Sequence, residues 1–205
     1  MFNRPPAGMG GGRLARNPAR TICLSFLLII AVGTLLLMMP FSARSGRFTP
    51  PLDALFTATS PTCVPGLEVN DPRSHWSGVG QVIILVLIQV GGLGLVTMGS
   101  FFNVLVGRRM GLHTADLAKE SVNSDSFAGV RHMLRTVIIG TLLVELLGAA
   151  ALACTFIPRM GLREGAVNSV FTSISAFCNA GFDLMGQEGT PFSSLTAFTE
   201  NWAVT

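Results

Sequence analysis

The sequence predicts an all-α integral membrane protein made of repeated units: a span, a short re-entrant helix ending in a glycine-containing loop, and a second span. Composition points there first. Hydrophobic residues make up 49% of the chain and charged residues only 12%, where a soluble domain carries about 25% charged residues. Three long apolar runs come second: Ile22–Met39, Gly78–Val106 and Thr136–Ile157, near or above the roughly 20 residues that a helix needs to cross a bilayer. The third observation is an internal repeat. Leu52–Leu67 and Val167–Phe182 superimpose at an offset of 115, with identities at Phe56/Phe171, Thr57/Thr172, Ser60/Ser175, Cys63/Cys178 and Gly66/Gly181. Both stretches are too short and too polar to span. Irregular backbone at membrane depth is tolerated where protein covers it or where it lines a water-filled path.

Taken in order, residues 1–20 are rich in Gly, Pro and Arg and read as a flexible cytoplasmic tail. Ile22–Met39 is a retained span rather than a signal peptide, being longer than an apolar h-region of 7–15 residues and lacking a prompt Ala-x-Ala site. Pro40 closes it. Pro50 and Pro51 suit the start of the first short helix, Asp53 complements its dipole, and Pro65-Gly66 stops it. Trp76, in the polar loop that follows, fits an interfacial anchor. Gly78–Val106 is longer than a bilayer requires and carries Gly91, Gly92, Gly94 and Gly99, which suit close helix packing or a bend that widens a pore.

Residues 107–135 form a polar cytoplasmic connection. Within it, Leu117, Val122, Phe127, Val130 and Met133 could share one face of an amphipathic helix, for a membrane surface or a cytosolic partner. Thr136–Ile157 is closed by Pro158 and holds Glu145 at mid-depth, where a carboxylate must face protein or water. Glu145 is a candidate intramembrane polar site, serving a structural hydrogen bond or an ion. Residues 21–106 thus make one complete repeat and 136–205 a second that lacks its closing span, as expected of part of a longer protein.

The tail and the 107–135 connection hold nine of the fourteen basic residues, which places the amino terminus and the connection inside. The net charge of +3 is small and scattered, and excludes nucleic acid as a partner. Cys23, Cys63, Cys154 and Cys178 show no metal-ligand spacing and read as buried small residues with free thiols, a Cys63–Cys178 disulfide being the alternative. His75, His113 and His132 all lie outside the spans, so no catalytic cluster sits at one depth and the chain does not read as an enzyme.

The two loops carry the chemistry. A half-helix directs its partially negative C-terminal end into the membrane, where it favours a cation, and the following strand offers backbone carbonyls that replace an ion's water shell. The candidate carbonyls are those of Cys63, Val64, Pro65 and Gly66, and of Cys178, Asn179, Ala180 and Gly181. Neither set of four contains a side-chain charge, which suits a monovalent ion and not a divalent-cation site built from carboxylates. Two loops cannot surround an ion in fourfold fashion, so two more must come from elsewhere.

Thr57–Leu67, Gln89-Val-Gly-Gly-Leu-Gly94 and Ser175–Asp183 together resemble the TrkH/KtrB/HKT superfamily of potassium and sodium transporters, closest to its bacterial TrkH and KtrB branch. The resemblance runs from about residue 20 to the end and covers roughly the first half of a typical member. It implies four repeats around one pore in the cytoplasmic membrane, a homodimer, and a cytosolic nucleotide-binding regulatory subunit of the TrkA or KtrA type. It implies K⁺ held at the loop carbonyls with no other cofactor, and carries the selectivity glycines over to Gly66 and Gly181. A glycine at the first position implies potassium rather than sodium; Na⁺ or mixed passage, or a non-conducting truncated scaffold, are the alternatives. Members often have threonine before the first glycine, where this chain has Pro65. Proline keeps the carbonyl and loses only the N–H.

Overall fold

The computed structural model describes residues 18–105 and 126–186. The amino-terminal tail, most of the polar connection and the end of the second unit lie outside the described residues, as do His113, Leu117 and Val122. Five helices and no named strand are present among the described residues: α1 (Pro18–Met38), α2 (Pro51–Cys63), α3 (Gly78–Leu105), α4 (Ser126–Met160) and α5 (Leu162–Phe177).

The pattern of burial is that of a bundle with an apolar exterior. On α4, Ile138, Leu142, Leu146 and Leu147 are exposed while Thr141 and Glu145 are buried. On α1, Leu24, Leu27, Leu28 and Leu35 face outward. A helix whose polar residues turn inward and whose leucines turn outward is at odds with water and suits hydrocarbon. Arg135–Met160 is the one stretch among the described residues long and apolar enough to cross a bilayer; Ile22–Met38 and Gly78–Gly94 are shorter apolar stretches.

The short helices α2 and α5 lie against this frame. Pro50 and Pro51 open α2 as expected, and Asp53 sits in its first turn. Serine and threonine hydroxyls in these helices turn back onto their own backbone: Thr62 Oγ1 donates to the Ala58 carbonyl and Ser169 Oγ to the Gly165 carbonyl, each at 2.7 Å. A buried hydroxyl satisfied in this way needs no partner on another helix. Before α3, Arg44 N–H donates to His75 O and Ser77 N–H to Ser42 O, which fastens the loop after α1 to the loop before α3.

Four expectations are corrected. Pro158 does not end its helix. It lies inside α4, which stops at Met160, and the turn is made by Gly161 at φ 85. The helix starts earlier than its apolar stretch: α4 runs unbroken from Ser126, while the part apolar enough to cross a bilayer is Arg135–Met160, so the last ten residues assigned to the connection are helical. Trp76 is no interfacial anchor: it is fully buried, edge-on to His75, because the loop folds inward over α3. The cysteines are all free, yet only Cys178 is buried; Cys23, Cys63 and Cys154 are exposed.

Candidate functional site

Each short helix ends in a left-handed turn. Val64 (φ 64) and Asn179 (φ 56) are the non-glycine residues with positive φ among the described residues. They are 115 positions apart. Gly66 (φ 72) and Gly181 (φ 73) repeat the same spacing. A left-handed residue costs roughly 1–2 kcal/mol when it carries a Cβ, so two such turns at matching places indicate a shape that the surrounding structure enforces. Serines hold both turns. Ser60 accepts the Val64 N–H on its carbonyl and the Leu67 N–H on its hydroxyl. Ser175 accepts the Ala180 N–H on its carbonyl.

The loops face each other. A Cβ added to Gly66 would lie 2.9 Å from the Ala180 carbonyl oxygen, and one added to Gly181 would lie 3.5 Å from the Gly66 Cα. Of the eight residues singled out in the sequence, Cys178 and Ala180 are buried, Val64 and Gly66 are half-buried, and Cys63, Pro65, Asn179 and Gly181 are exposed. Neither helix has a basic residue in its last turn, and each has an acidic residue in its first, Asp53 and Glu164. The C-terminal partial charges beside the loops are therefore not offset by any cation of the last turn.

Against the two glycines lies a cavity of about 260 Å³, lined also by Glu68, Asp71 and Asp183. Burial, followed by the charges of Asp183 and Asp71, pushes the Glu68 carboxyl up to about 8. Three carboxylates converging on one small space repel each other and disfavour the last ionisation. The acidic lining was missed in the sequence, although a signal was there. Glu68 and Asp183 are themselves 115 apart, so extending the repeat two residues past the glycines pairs two acids.

The neighbouring glycines of α3 hold the ends of both short helices. A Cβ on Gly91 would collide with the backbone carbonyl of Thr62, and one on Gly92 would lie 2.5 Å from Cys178 Sγ. Gly94 faces the ring of Phe26 on α1. At these three positions the glycines serve close packing, and Gly91-Gly92 touches one glycine loop's root with each residue.

Glu145 is 5% exposed and does not line the loop cavity. Gln89 Nε2 donates to both its carboxylate oxygens, at 2.9 and 3.2 Å, and Ser173 Oγ donates to its backbone carbonyl. This joins α3, α4 and α5 at one level, the structural alternative of the two considered. Gln89→Leu is expected to leave the carboxylate buried without its donor, destabilising the fold by about 3–5 kcal/mol if the group is charged. Glu145→Gln, which keeps an acceptor for Gln89, is expected to cost far less. Thermal unfolding in detergent checks the order; a Gln89→Leu protein as stable as Glu145→Gln would deny the link.

Comparison with known proteins gives the chain's family. The family model described as a TrkH cation transport protein matches residues 13–205. The potassium/sodium uptake protein NtpJ of Enterococcus hirae is 37% identical over 170 residues, 83% of this chain and 38% of the relative. The Ktr system potassium uptake protein B of Bacillus subtilis is 37% identical over 171 residues, 82% and 37% of the two chains. Its namesake from Vibrio alginolyticus is 35% identical over 182 residues, 88% and 40%. The chain spans about two fifths of the length of these curated relatives. With a family model covering nearly all of its length, the chain belongs to the TrkH family of cation transport proteins.

Proposed function

We propose that the chain supplies two of four loops lining a K⁺ uptake pore. In this reading α2 and α5 are re-entrant, and Cys63–Gly66 and Cys178–Gly181 present the ion-binding carbonyls. The observation that carries it is the facing pair of glycine loops, each turned by a left-handed residue and a positive-φ glycine at one offset. The names of the relatives, potassium or potassium/sodium uptake proteins, support the ion. The acidic cavity raises the local cation concentration at the mouth, and an inward membrane potential of 100 mV drives each K⁺ with about 2.3 kcal/mol. The amino terminus is inside, both short helices enter from outside, and the functional assembly is a homodimer with a cytosolic TrkA- or KtrA-type nucleotide-binding subunit.

The test is K⁺ uptake at low external K⁺ in cells lacking their own uptake systems, with the protein expressed from its complete reading frame beside a regulatory subunit. Uptake of K⁺ in preference to Na⁺ is expected. Absence of both fluxes from protein verified in the membrane would overturn the reading, and equal fluxes would move it to mixed passage.

External pH should matter. Glu68, at about 8, is neutral below that pH and charged above it, so raising pH from about 6.5 to 9 adds a negative charge at the mouth. One charge a few ångströms from the ion in a watery vestibule is worth about 1 kcal/mol. The apparent KM for K⁺ is expected to fall about fivefold across that range, and Glu68→Gln to flatten the profile. A profile unchanged in Glu68→Gln would remove this carboxylate from the ion's route.

A further inference from the structure

A second concavity, of about 330 Å³, opens on the seam between the two units, and Arg44, Arg73 and Arg163 all line it. The charge is unbalanced. Arg73 pairs with Glu164 at 2.9 Å and reaches the Leu184 carbonyl, so it serves the fold. Arg44 and Arg163 are exposed, and neither has a side-chain hydrogen bond or ion pair among the described residues. Glu164 is the only carboxylate of the lining among the described residues. The amides of Gln81 and Asn168 also line it but already donate within the protein, to the Pro72 and Trp76 carbonyls and to Met160 Sδ, so the arginines are left as the donors for a ligand. The first residues of α3 and α5 border the same space, and no side chain caps α5, so two positive helix ends add to the field.

We propose that this groove binds the phosphate headgroup of an anionic phospholipid. Guanidinium groups match phosphate oxygens in geometry and carry a charge that is never lost. The apolar surroundings favour a lipid over a free anion. Val167 of the lining is exposed, as are Val170 one turn on along α5 and, next in sequence to the lining residues Gly78 and Gln81, Val79 and Val82 on α3, all between 45% and 58%. They offer acyl chains a track that begins at the headgroup site. A soluble phosphate would use the arginines and leave this track bare. The site is separate from the acidic cavity and shares no lining residue with it. It does not depend on which ion is carried.

The experiment uses the protein purified from its complete reading frame in bilayer nanodiscs of phosphatidylcholine, with and without about one fifth phosphatidylglycerol. Binding is read by native mass spectrometry and by the shift in thermal unfolding. Phosphatidylglycerol is expected to stay bound and to raise the unfolding temperature. Each arginine near an anionic headgroup contributes about fivefold, so Arg44→Gln/Arg163→Gln is expected to bind about 25-fold more weakly. Removing one arginine outside the groove, Arg47→Gln, should have little effect, well short of the fivefold expected per groove arginine. Both substitutions alter exposed side chains without partners, and an unchanged unfolding temperature in pure phosphatidylcholine verifies the fold. Equal binding by the double variant and by Arg47→Gln would overturn the proposal. So would a stabilisation fully reproduced by millimolar inorganic phosphate in phosphatidylcholine alone, which would make the groove a free-anion site.

Discussion

Gly66→Ser is expected to reduce K⁺ uptake by tenfold or more, with normal amounts of protein in the membrane. Two costs fall together at this position. Its φ of 72 lies in the region where a Cβ costs roughly 1–2 kcal/mol. That Cβ would also stand 2.9 Å from the carbonyl oxygen of Ala180, a backbone atom of a fully buried residue. A flexible side chain could swing away; a carbonyl in a buried turn moves only with its loop. The substitution therefore displaces the second loop as well as the first, and the ion loses alignment on two sides.

Gly181→Ala separates the two costs. Its φ of 73 is as unfavourable, but the new Cβ would sit 3.5 Å from the Gly66 Cα, an ordinary contact. Uptake is expected to fall by only about fivefold, corresponding to the lower end of the backbone cost alone, about 1 kcal/mol. Gly66→Ala should resemble Gly66→Ser in K⁺ flux, because the Cβ does the damage and the hydroxyl does not. Na⁺ flux measured beside K⁺ flux distinguishes a narrowed pore from a loosened one. A Gly181→Ala protein more impaired than Gly66→Ala would contradict the asymmetry and the assignment of Gly66 as the tighter position.

Much of this was legible in the sequence, and for one reason. Periodicity and repetition survive in a string of letters. The offset of 115 located both short helices and both glycines, and Pro50-Pro51 located a helix start. What depends on how loops fold back was not legible. Trp76 reads as an interfacial residue by type, yet the Arg44–His75 and Ser77–Ser42 backbone bonds turn its loop inward. Pro158 reads as a stop, but it removes a single N–H, the one that would bond the Cys154 carbonyl, and the helix runs two residues past it before Gly161 makes the turn. Glu145 could be recognised as costly in mid-membrane. Its partner Gln89 lies 56 residues away, and no spacing rule joins them. The acidic lining lay within reach of the same repeat that revealed the glycines.

Gly91→Ala is expected to be among the most disruptive single methyls in the described part of the chain. The added Cβ would collide with the Thr62 carbonyl oxygen and lie 2.9 Å from that of Pro61. Both obstacles are backbone, at the last turn of α2, so relief requires moving α2 or α3 as a whole. Overpacking commonly costs 1–3 kcal/mol; with backbone on the receiving side, about 3 kcal/mol or more is expected, read as a loss of thermal stability. Gly92→Ala presents a different case one residue away. Its Cβ would meet Cys178 Sγ at 2.5 Å and Cys178 Cβ at 2.8 Å, but the Cys178 Cα only at 3.4 Å. Removing the side chain makes room. Cys178 has φ −76 and ψ −3, which glycine adopts at a cost of about 0.5–1 kcal/mol. Gly92→Ala/Cys178→Gly is therefore expected to recover most of the stability and uptake that Gly92→Ala loses, whereas truncating Thr62 should not rescue Gly91→Ala. Rescue of the second and not the first would mean that α3 positions the two glycine loops by different contacts, through backbone in one unit and through a side chain in the other. Equal rescue, or none in either, would mean that the Gly91-Gly92 pair does not act through the roots of the loops.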